Sequence, residues 1–348
     1  MRKESELTSR MLHEARHASV HVEEQLTQDR SEYQAVAASL RTEPPSAMLT
    51  LARGSSDHAA QYFAYLVMMR LGQLVTSLPM SLITLYGSAI RSQGLVALAY
   101  SQSGQSPDLV LPTQQFRSRG ARTVAFVNDA ASPLAMAAAH VLPLRAGPER
   151  SIAATKSYIA QLVASARLVA EWQGDPALRA ALTQLPQALH RAAGLSWDRA
   201  IEQFAAVDRL YVIGRGTGLA IACEAALKFK EVCGIQAEAF SGAEVRHGPM
   251  ALVGAGYPVL ILAPRGPAQS GLIELARDLR QRGAIVLLAA PGVSVADLPL
   301  LDSVTAEHED LDPISLIQSF YPMVEALARA RGRDPDRPPF LSKITRTQ

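Results

Sequence analysis

The chemistry in this chain is concentrated in a few short stretches. In Ser101-Gln-Ser-Gly-Gln-Ser-Pro107, Ser101, Ser103 and Ser106 supply three hydroxyls, and Gly104 lets the backbone come close to a ligand. Pro107 suits the first helical position after a Ser106 N-cap, and the helix that follows would aim its free N–H groups and positive end at the loop. That is an anion site. Capping alone would also explain Ser106-Pro107-Asp108. Ser55-Ser56, after Gly54, would face the same crevice and has the same alternative, with Asp57 in the first helical turn. A second group lies on the alanine-rich stretch Leu219–Val232, expected to be one helix. Lys228 and Glu231 are three apart and share a face, as a salt-bridged edge of a mostly buried helix or as a base beside a cation. His247 precedes Gly248-Pro249, which forces a turn. Its imidazole suits proton transfer, although a lone loop histidine is more often structural. Lys343 keeps apolar company in Phe340, Leu341 and Ile344, which points to a docked rather than loose tail. Gly214-Arg-Gly-Thr-Gly218 falls short of a dinucleotide fingerprint, because the third glycine of that pattern would fall on Leu219.

These residues must be positioned by something, and the chain repeats itself. Leu95–Tyr100 is a short apolar run followed by the serine loop, a helix-like stretch ending at Gly120, and the apolar run Thr123–Val127. Pro258–Ala263, a loop, a helix-like stretch ending at Gly283 and Ala284–Leu288 follow the same plan. Gly54 and Gly216 are 162 residues apart, Gly104 and Gly266 also 162, and Gly120 and Gly283 163. A duplicated domain is the natural reading. Non-alternating apolar runs separated by amphipathic helix-length segments mean strands buried on both faces, hence an α/β fold with a parallel sheet under helices in each copy. Ligands of such sheets bind beyond the carboxyl ends of the strands, where the serine loop falls. The matching loop of the second copy, Ala263–Ala268, has no serine although a helix must start there too. The hydroxyls of the first copy therefore exceed what capping requires, which favours a phosphate there.

The expected boundaries are a helical lead-in of one or two helices over 1–40, a first domain over 41–194 ending in a linker helix Pro176–Ala193, a second over 195–333, and an extended tail over 334–348 carrying Lys343. Hydrophobic residues make up 48% of the 348 and charged residues 19%, which fits a folded chain with a large core. A formal charge of +2 gives no support for a nucleic-acid or acidic-membrane surface. Two cysteines exclude a disulfide framework and a cysteine zinc site. Without an apolar leader or an 18-residue apolar run, the chain reads as cytoplasmic, and no metal or cofactor is expected.

Arg53-Gly-Ser-Ser56, Ser101-Gln-Ser-Gly104, Ala153-Ala-Thr-Lys156, Gly214-Arg-Gly216, Ala226-Leu-Lys-Phe-Lys-Glu-Val232, Ala237-Glu-Ala-Phe240, Glu244-Val-Arg-His-Gly-Pro249 and the tail around Ser342-Lys343 occur in one order over about 290 residues. Together they resemble the sugar isomerase (SIS) family, in particular its glucosamine-6-phosphate synthase and stand-alone amino-sugar-phosphate deaminase branches. The resemblance implies two tandem SIS subdomains of doubly wound, flavodoxin-like topology. It implies that Ser101, Gln102, Ser103 and Ser106 hold a sugar 6-phosphate, with Gly54, Ser55, Ser56 and Ile152 as further substrate contacts. It also implies that Glu231 shuttles a proton between C1 and C2, that His247 assists ring opening from the neighbouring subunit of a homodimer, that Lys343 forms a Schiff base with a ketose phosphate, and that Lys228 lies beside the reacting carbons.

Two departures narrow this. Arg2 stands where the synthase has its glutaminase cysteine, and both Cys223 and Cys233 fall on the Leu219–Cys233 stretch, so a chain without glutaminase activity is expected. Ala154 replaces a family serine before Thr155-Lys156. The expected reaction is glucosamine 6-phosphate plus water to fructose 6-phosphate plus ammonia. The alternatives are a fructosamine-6-phosphate deglycase, a galactosamine-6-phosphate deaminase, or a sugar-phosphate sensor that needs the serine loop but neither Glu231 nor Lys343.

Overall fold

A computed structural model describes residues 8–343. The chain forms two compact units, each built on one sheet. One holds the described residues 20–149, 156–183 and 342–343; the other holds 8–19, 150–155 and 184–341.

The first sheet contains β1 (Ala47–Leu51), β2 (Val75–Ser77), β3 (Leu95–Ser101), β4 (Arg122–Val127) and β5 (His140–Pro143), in the order β2-β1-β3-β4-β5 with every pair parallel. Both faces of its centre are buried, which is why the strand sequences do not alternate. Leu49, Leu51, Ala97, Ala99, Ala125 and Val127 pack on one face with Leu109, Phe116 and Leu134. On the other, Tyr100 stacks on Phe126 at 4.3 Å and meets Phe63 at 6.3 Å, and the Tyr100 hydroxyl bonds Ser165 Oγ at 3.0 Å. Ser165 belongs to the helix Lys156–Gln173, which is buried on nearly every side, its polar residues Lys156, Gln161 and Arg167 included.

The second sheet contains β6 (Arg209–Gly214), β7 (Gln236–Ser241), β8 (Pro258–Leu262), β9 (Ile285–Ala289) and β10 (Leu300–Leu301). Its order, β7-β6-β8-β9-β10, again all parallel, repeats the first sheet strand for strand. This is the flavodoxin-like 2-1-3-4-5 order, whose direction reverses between its first and third strands. The duplication reaches the backbone angles. Gly54 and Gly216 follow β1 and β6 with φ/ψ of 54/−132° and 60/−133°, a region open essentially to glycine alone. Gly120 and Gly283 end the matching helices at φ 86° and 87°. Gly104 and Gly266 differ, at 64° and 117°, so the copies diverge in the loop after the third strand.

Three expectations need correction. The lead-in forms three helices, Arg10–Arg16, Ala18–Thr27 and Arg30–Thr42. Leu219–Val232 is not one α-helix: an α-helix over Thr217–Lys228 passes into a π-helical turn, Phe229–Cys233, which Gly234 closes in the left-handed conformation. The tail from Asp334 makes turns, and Asp336 caps the amides of Arg10 and Met11 at 2.8 and 2.9 Å. The linker helix runs over Pro176–Ala193 as expected. Among the described residues no helix is long and apolar enough to cross a membrane.

Candidate active site

The reversal point of the first sheet lies between β1 and β3, and the serine-rich loops leave the carboxyl ends of those two neighbouring strands. Ser101 ends β3 and its hydroxyl accepts the Gly104 amide at 3.0 Å, which folds the loop tightly. Gly104 is obligatory there: a Cβ would sit 2.2 Å from Ser132 Oγ and 2.8 Å from Val127 Cγ2. Ser103 Oγ accepts the Gln105 amide at a long 3.3 Å, and Gln102, Ser103 and Ser106 are half-buried. Ser106 occupies the N-cap position of the helix Pro107–Ser118, with Pro107 next, yet its side chain makes no capping bond. The capping alternative for Ser106 therefore fails, and its hydroxyl remains available to a ligand. Ser55 and Ser56 do not cap either. Gly54 takes the N-cap and both serines stand in the first turn of the helix Ser55–Leu71, where Ser56 Oγ accepts Gln161 Nε2 at 2.9 Å. Arg53 spans the two loops, with Nε 3.2 Å from Asp108 Oδ2, so a guanidinium lies near the start of the Pro107–Ser118 helix.

The second sheet shows what happens at the equivalent place without serines. Asp312, fully buried, accepts the backbone amide of Arg265 at 3.2 Å, its Nε at 2.7 Å and its Nη2 at 2.9 Å. An internal carboxylate therefore answers the donors of the loop after β8, where the first copy has the hydroxyls of Ser101, Ser103 and Ser106.

Glu231 stands on the π-helical turn, and such insertions often occur at functional sites because they rotate one side chain out of helical register. Lys228 Nζ lies 2.5 Å from Glu231 Oε2 and 3.3 Å from Glu224 Oε1. Glu224 in turn accepts the Tyr321 hydroxyl at 3.3 Å. Lys228 and Glu224 are fully buried, whereas the Glu231 side chain is 20% exposed, so only the last carboxylate of the chain opens to a ligand. Burial alone would lower the Lys228 pKa, but the carboxylates of Glu224 and Glu231 outweigh it and raise the value, which keeps the amine charged. Lys230, on the same stretch, is exposed and apart from this group. Glu224 sits four residues before Lys228, a readable spacing; nothing local to Tyr321 announced its part.

His247 is exposed between the 3₁₀ turns Glu244–Arg246 and Pro249–Leu252, its amide bonded to Glu244 O at 2.9 Å. It lines a cleft of about 260 Å³ together with Arg215, Arg246 and Glu274. Ile152 and Ala154 are half-buried and alternate with buried Ser151, Ala153 and Thr155, and Glu14 pins this segment by accepting the Arg150 and Ser151 amides at 2.5 and 3.1 Å.

The tail departs from expectation in one respect. Phe340 is fully exposed and Leu341 exposed, and the buried apolar residues of the described tail are instead Pro335 and Pro338; Ile344 lies outside the described residues. What holds Lys343 is Glu149, whose fully buried carboxylate is 3.2 Å from Nζ. Sequence reasoning missed Glu149 because its partner is 194 residues away. Among the described residues no group of three or more His, Cys, Asp or Glu is placed to hold a metal ion.

With this geometry in hand, comparison with known proteins is specific. The SIS domain family matches twice, over residues 44–170 and 203–329. Glutamine–fructose-6-phosphate aminotransferases (isomerizing) of Methanothermobacter thermautotrophicus and Aeropyrum pernix are each 34% identical, over 84% and 85% of this chain and 50% of their own length. The chain thus spans about half the length of these curated relatives. A solved structure described as a phosphosugar isomerase, from Silicibacter pomeroyi, is 43% identical with a TM-score of 0.89, covering 94% of this chain and 100% of that one. A glucosamine-6-phosphate deaminase from Thermotoga maritima shares the fold at 21% identity and a TM-score of 0.76, over 97% of this chain and 100% of its own. Two matched repeats on two sheets of identical order leave one conclusion: the chain belongs to the SIS-domain family.

Proposed function

We propose that this protein converts glucosamine 6-phosphate and water to fructose 6-phosphate and ammonia. The hydroxyls of Ser101, Ser103 and Ser106, with Gln102 and the Ser55-Ser56 turn, take the 6-phosphate at the first sheet's reversal point. His247, contributed from the neighbouring subunit of a homodimer, assists ring opening. Glu231 then removes the C2 proton of the open chain and returns it to C1, leaving an imine at C2. Lys228 aims the carboxylate and offers positive charge to the enediolate-like intermediate. Water adds to the imine and ammonia leaves. Ile152 contacts the sugar, and Lys343 supplies an amine able to form a Schiff base with the ketose.

The observation that carries this reading is the buried Glu224–Lys228 pair ending on the partly open Glu231, which fits a single positioned base serving two adjacent carbons. Deamination is favoured over glutamine-dependent synthesis by the likeness of Arg53–His58 and Ala153–Tyr158 to the deaminase branch. The state of Cys233 agrees: burial pushes its thiol up to about 12, the opposite of a glutamine-hydrolysing nucleophile. The test is coupled ammonia release from glucosamine 6-phosphate, galactosamine 6-phosphate and fructosamine 6-phosphate. Turnover of the first is expected; turnover confined to either of the others would reassign the substrate, and binding without turnover would make the protein a sensor.

A further inference from the structure

Five of the 34 basic residues are lysines, at positions 3, 156, 228, 230 and 343; the other 29 are arginines. A chain that so generally uses arginine for charge keeps lysine at 343, and a lysine amine, unlike a guanidinium, can shed its proton and act as a nucleophile. Its surroundings are built. Glu149 is fully buried, and a carboxylate so placed demands partners. Ser157 provides two, its amide donating to Oε1 at 3.1 Å and its hydroxyl to Oε2 at 2.5 Å. Ser157 is itself buried at the start of the helix Lys156–Gln173, where the positive helix end also favours a carboxylate. The same Oε2 then receives Lys343 Nζ at 3.2 Å, while the Lys343 side chain remains 26% exposed. The neighbouring Phe340 and Leu341 are exposed, so the ion pair meets the amine where the side chain is still partly open to solvent.

We propose that Glu149, oriented by Ser157, is the positioning residue of Lys343: it docks the tail and presents the amine at a fixed place for reaction with a ketose phosphate. The proposal deepens the reading of Lys343 given above and rests on it for its catalytic meaning. In the reaction, the unprotonated amine adds to the C2 carbonyl of fructose 6-phosphate, water leaves, and borohydride can deliver hydride to the resulting imine to leave a stable secondary amine on Lys343.

Two measurements on the full chain test it separately. The first is acylation of Lys343 by acetic anhydride, read by peptide mass spectrometry against the exposed Lys230. Glu149→Gln is expected to speed labelling of Lys343 about ten-fold, and Ser157→Ala, which leaves the carboxylate in place, by a smaller factor. Unchanged labelling in a folded Glu149→Gln overturns the proposal; should that variant not fold, unchanged labelling in Ser157→Ala does so. The second is borohydride trapping of fructose 6-phosphate on Lys343. Trapping is expected in the wild type and reduced about ten-fold or more in Glu149→Gln, with ligand-induced thermal stabilisation retained. Faster labelling with undiminished trapping would make Glu149 a mere anchor and overturn the positioning role. No adduct in the wild type would instead remove the Schiff-base role of Lys343, while the labelling measurement still decides whether Glu149 holds it.

Discussion

Replacing Lys228 by methionine removes the one cation lying between two carboxylates. Lys228 and Glu224 are fully buried, and Nζ is 3.3 Å from Glu224 Oε1 and 2.5 Å from Glu231 Oε2. Methionine fills most of the space, so packing is largely kept, but Glu224 is left as a buried carboxylate that has lost its cation and still accepts the Tyr321 hydroxyl. Removing one partner of such a pair costs about 3–5 kcal/mol. For a unit of this size each kcal/mol lowers Tm by about 2–4 °C, so a fall of roughly 6–20 °C is expected by calorimetry. The double variant Lys228→Met/Glu224→Gln removes the orphaned charge and keeps an acceptor for Tyr321; it should recover most of the loss in stability. It should not recover turnover, because Glu231 then lacks both its aim and the neighbouring positive charge. The pH dependence has a defined sign. The folded-state pKa of Lys228 is raised, so the ion pair's contribution is complete below the ordinary lysine value of about 10.4 and is lost only as pH climbs through the higher folded value. The stability gap between wild type and Lys228→Met should therefore be flat from pH 7 to 9 and close only in strong alkali. An unchanged Tm for Lys228→Met, or a double variant with wild-type turnover, would refute the reasoning.

Ser106→Ala should change stability by less than about 0.5 kcal/mol, below the usual loss for an N-cap serine, because its hydroxyl makes no capping bond; substrate KM should rise about ten-fold in steady-state assays with kcat less affected. Gly104→Ala should destabilise by roughly 2–4 kcal/mol in denaturant titrations, since the left-handed φ of 64° adds to a Cβ clash with Ser132 and Val127, and phosphate-ester binding should fall with it. Cys233, with its thiol pushed up to about 12, should resist iodoacetamide at pH 8 in the native protein and react fully once unfolded.

Much of this was legible in the sequence. The repeat spacing and the unbroken apolar runs announced two parallel sheets, and the identical strand orders and the matched backbone angles of Gly54 and Gly216 account physically for that spacing. The Lys228–Glu231 pairing followed from their separation by three. The π turn did not, because five residues are too short a stretch for sequence periodicity to reveal a one-residue change in hydrogen-bond register. The capping alternative for Ser55 and Ser56 failed because Gly54, at φ 54°, holds that position. Glu149 with Lys343 and Asp312 with Arg265 are long-range pairs, and local patterning carries no information about a partner 194 or 47 residues away. Apolar residues in the tail misled for the converse reason: Phe340 and Leu341 are hydrophobic yet exposed, and hydrophobicity alone does not require burial.

The central claim, that Glu231 carries a proton between adjacent carbons of a phosphorylated amino sugar, is tested most directly by isotope incorporation. Glucosamine 6-phosphate incubated with the protein in deuterium oxide should yield ammonia and fructose 6-phosphate, with deuterium at C1 by NMR in those turnovers in which the proton held on Glu231 exchanges with solvent before it reaches C1. Glu231→Gln should abolish both signals while glucosamine 6-phosphate still raises its Tm. Wild-type deuterium incorporation and ammonia release in Glu231→Gln would contradict the account.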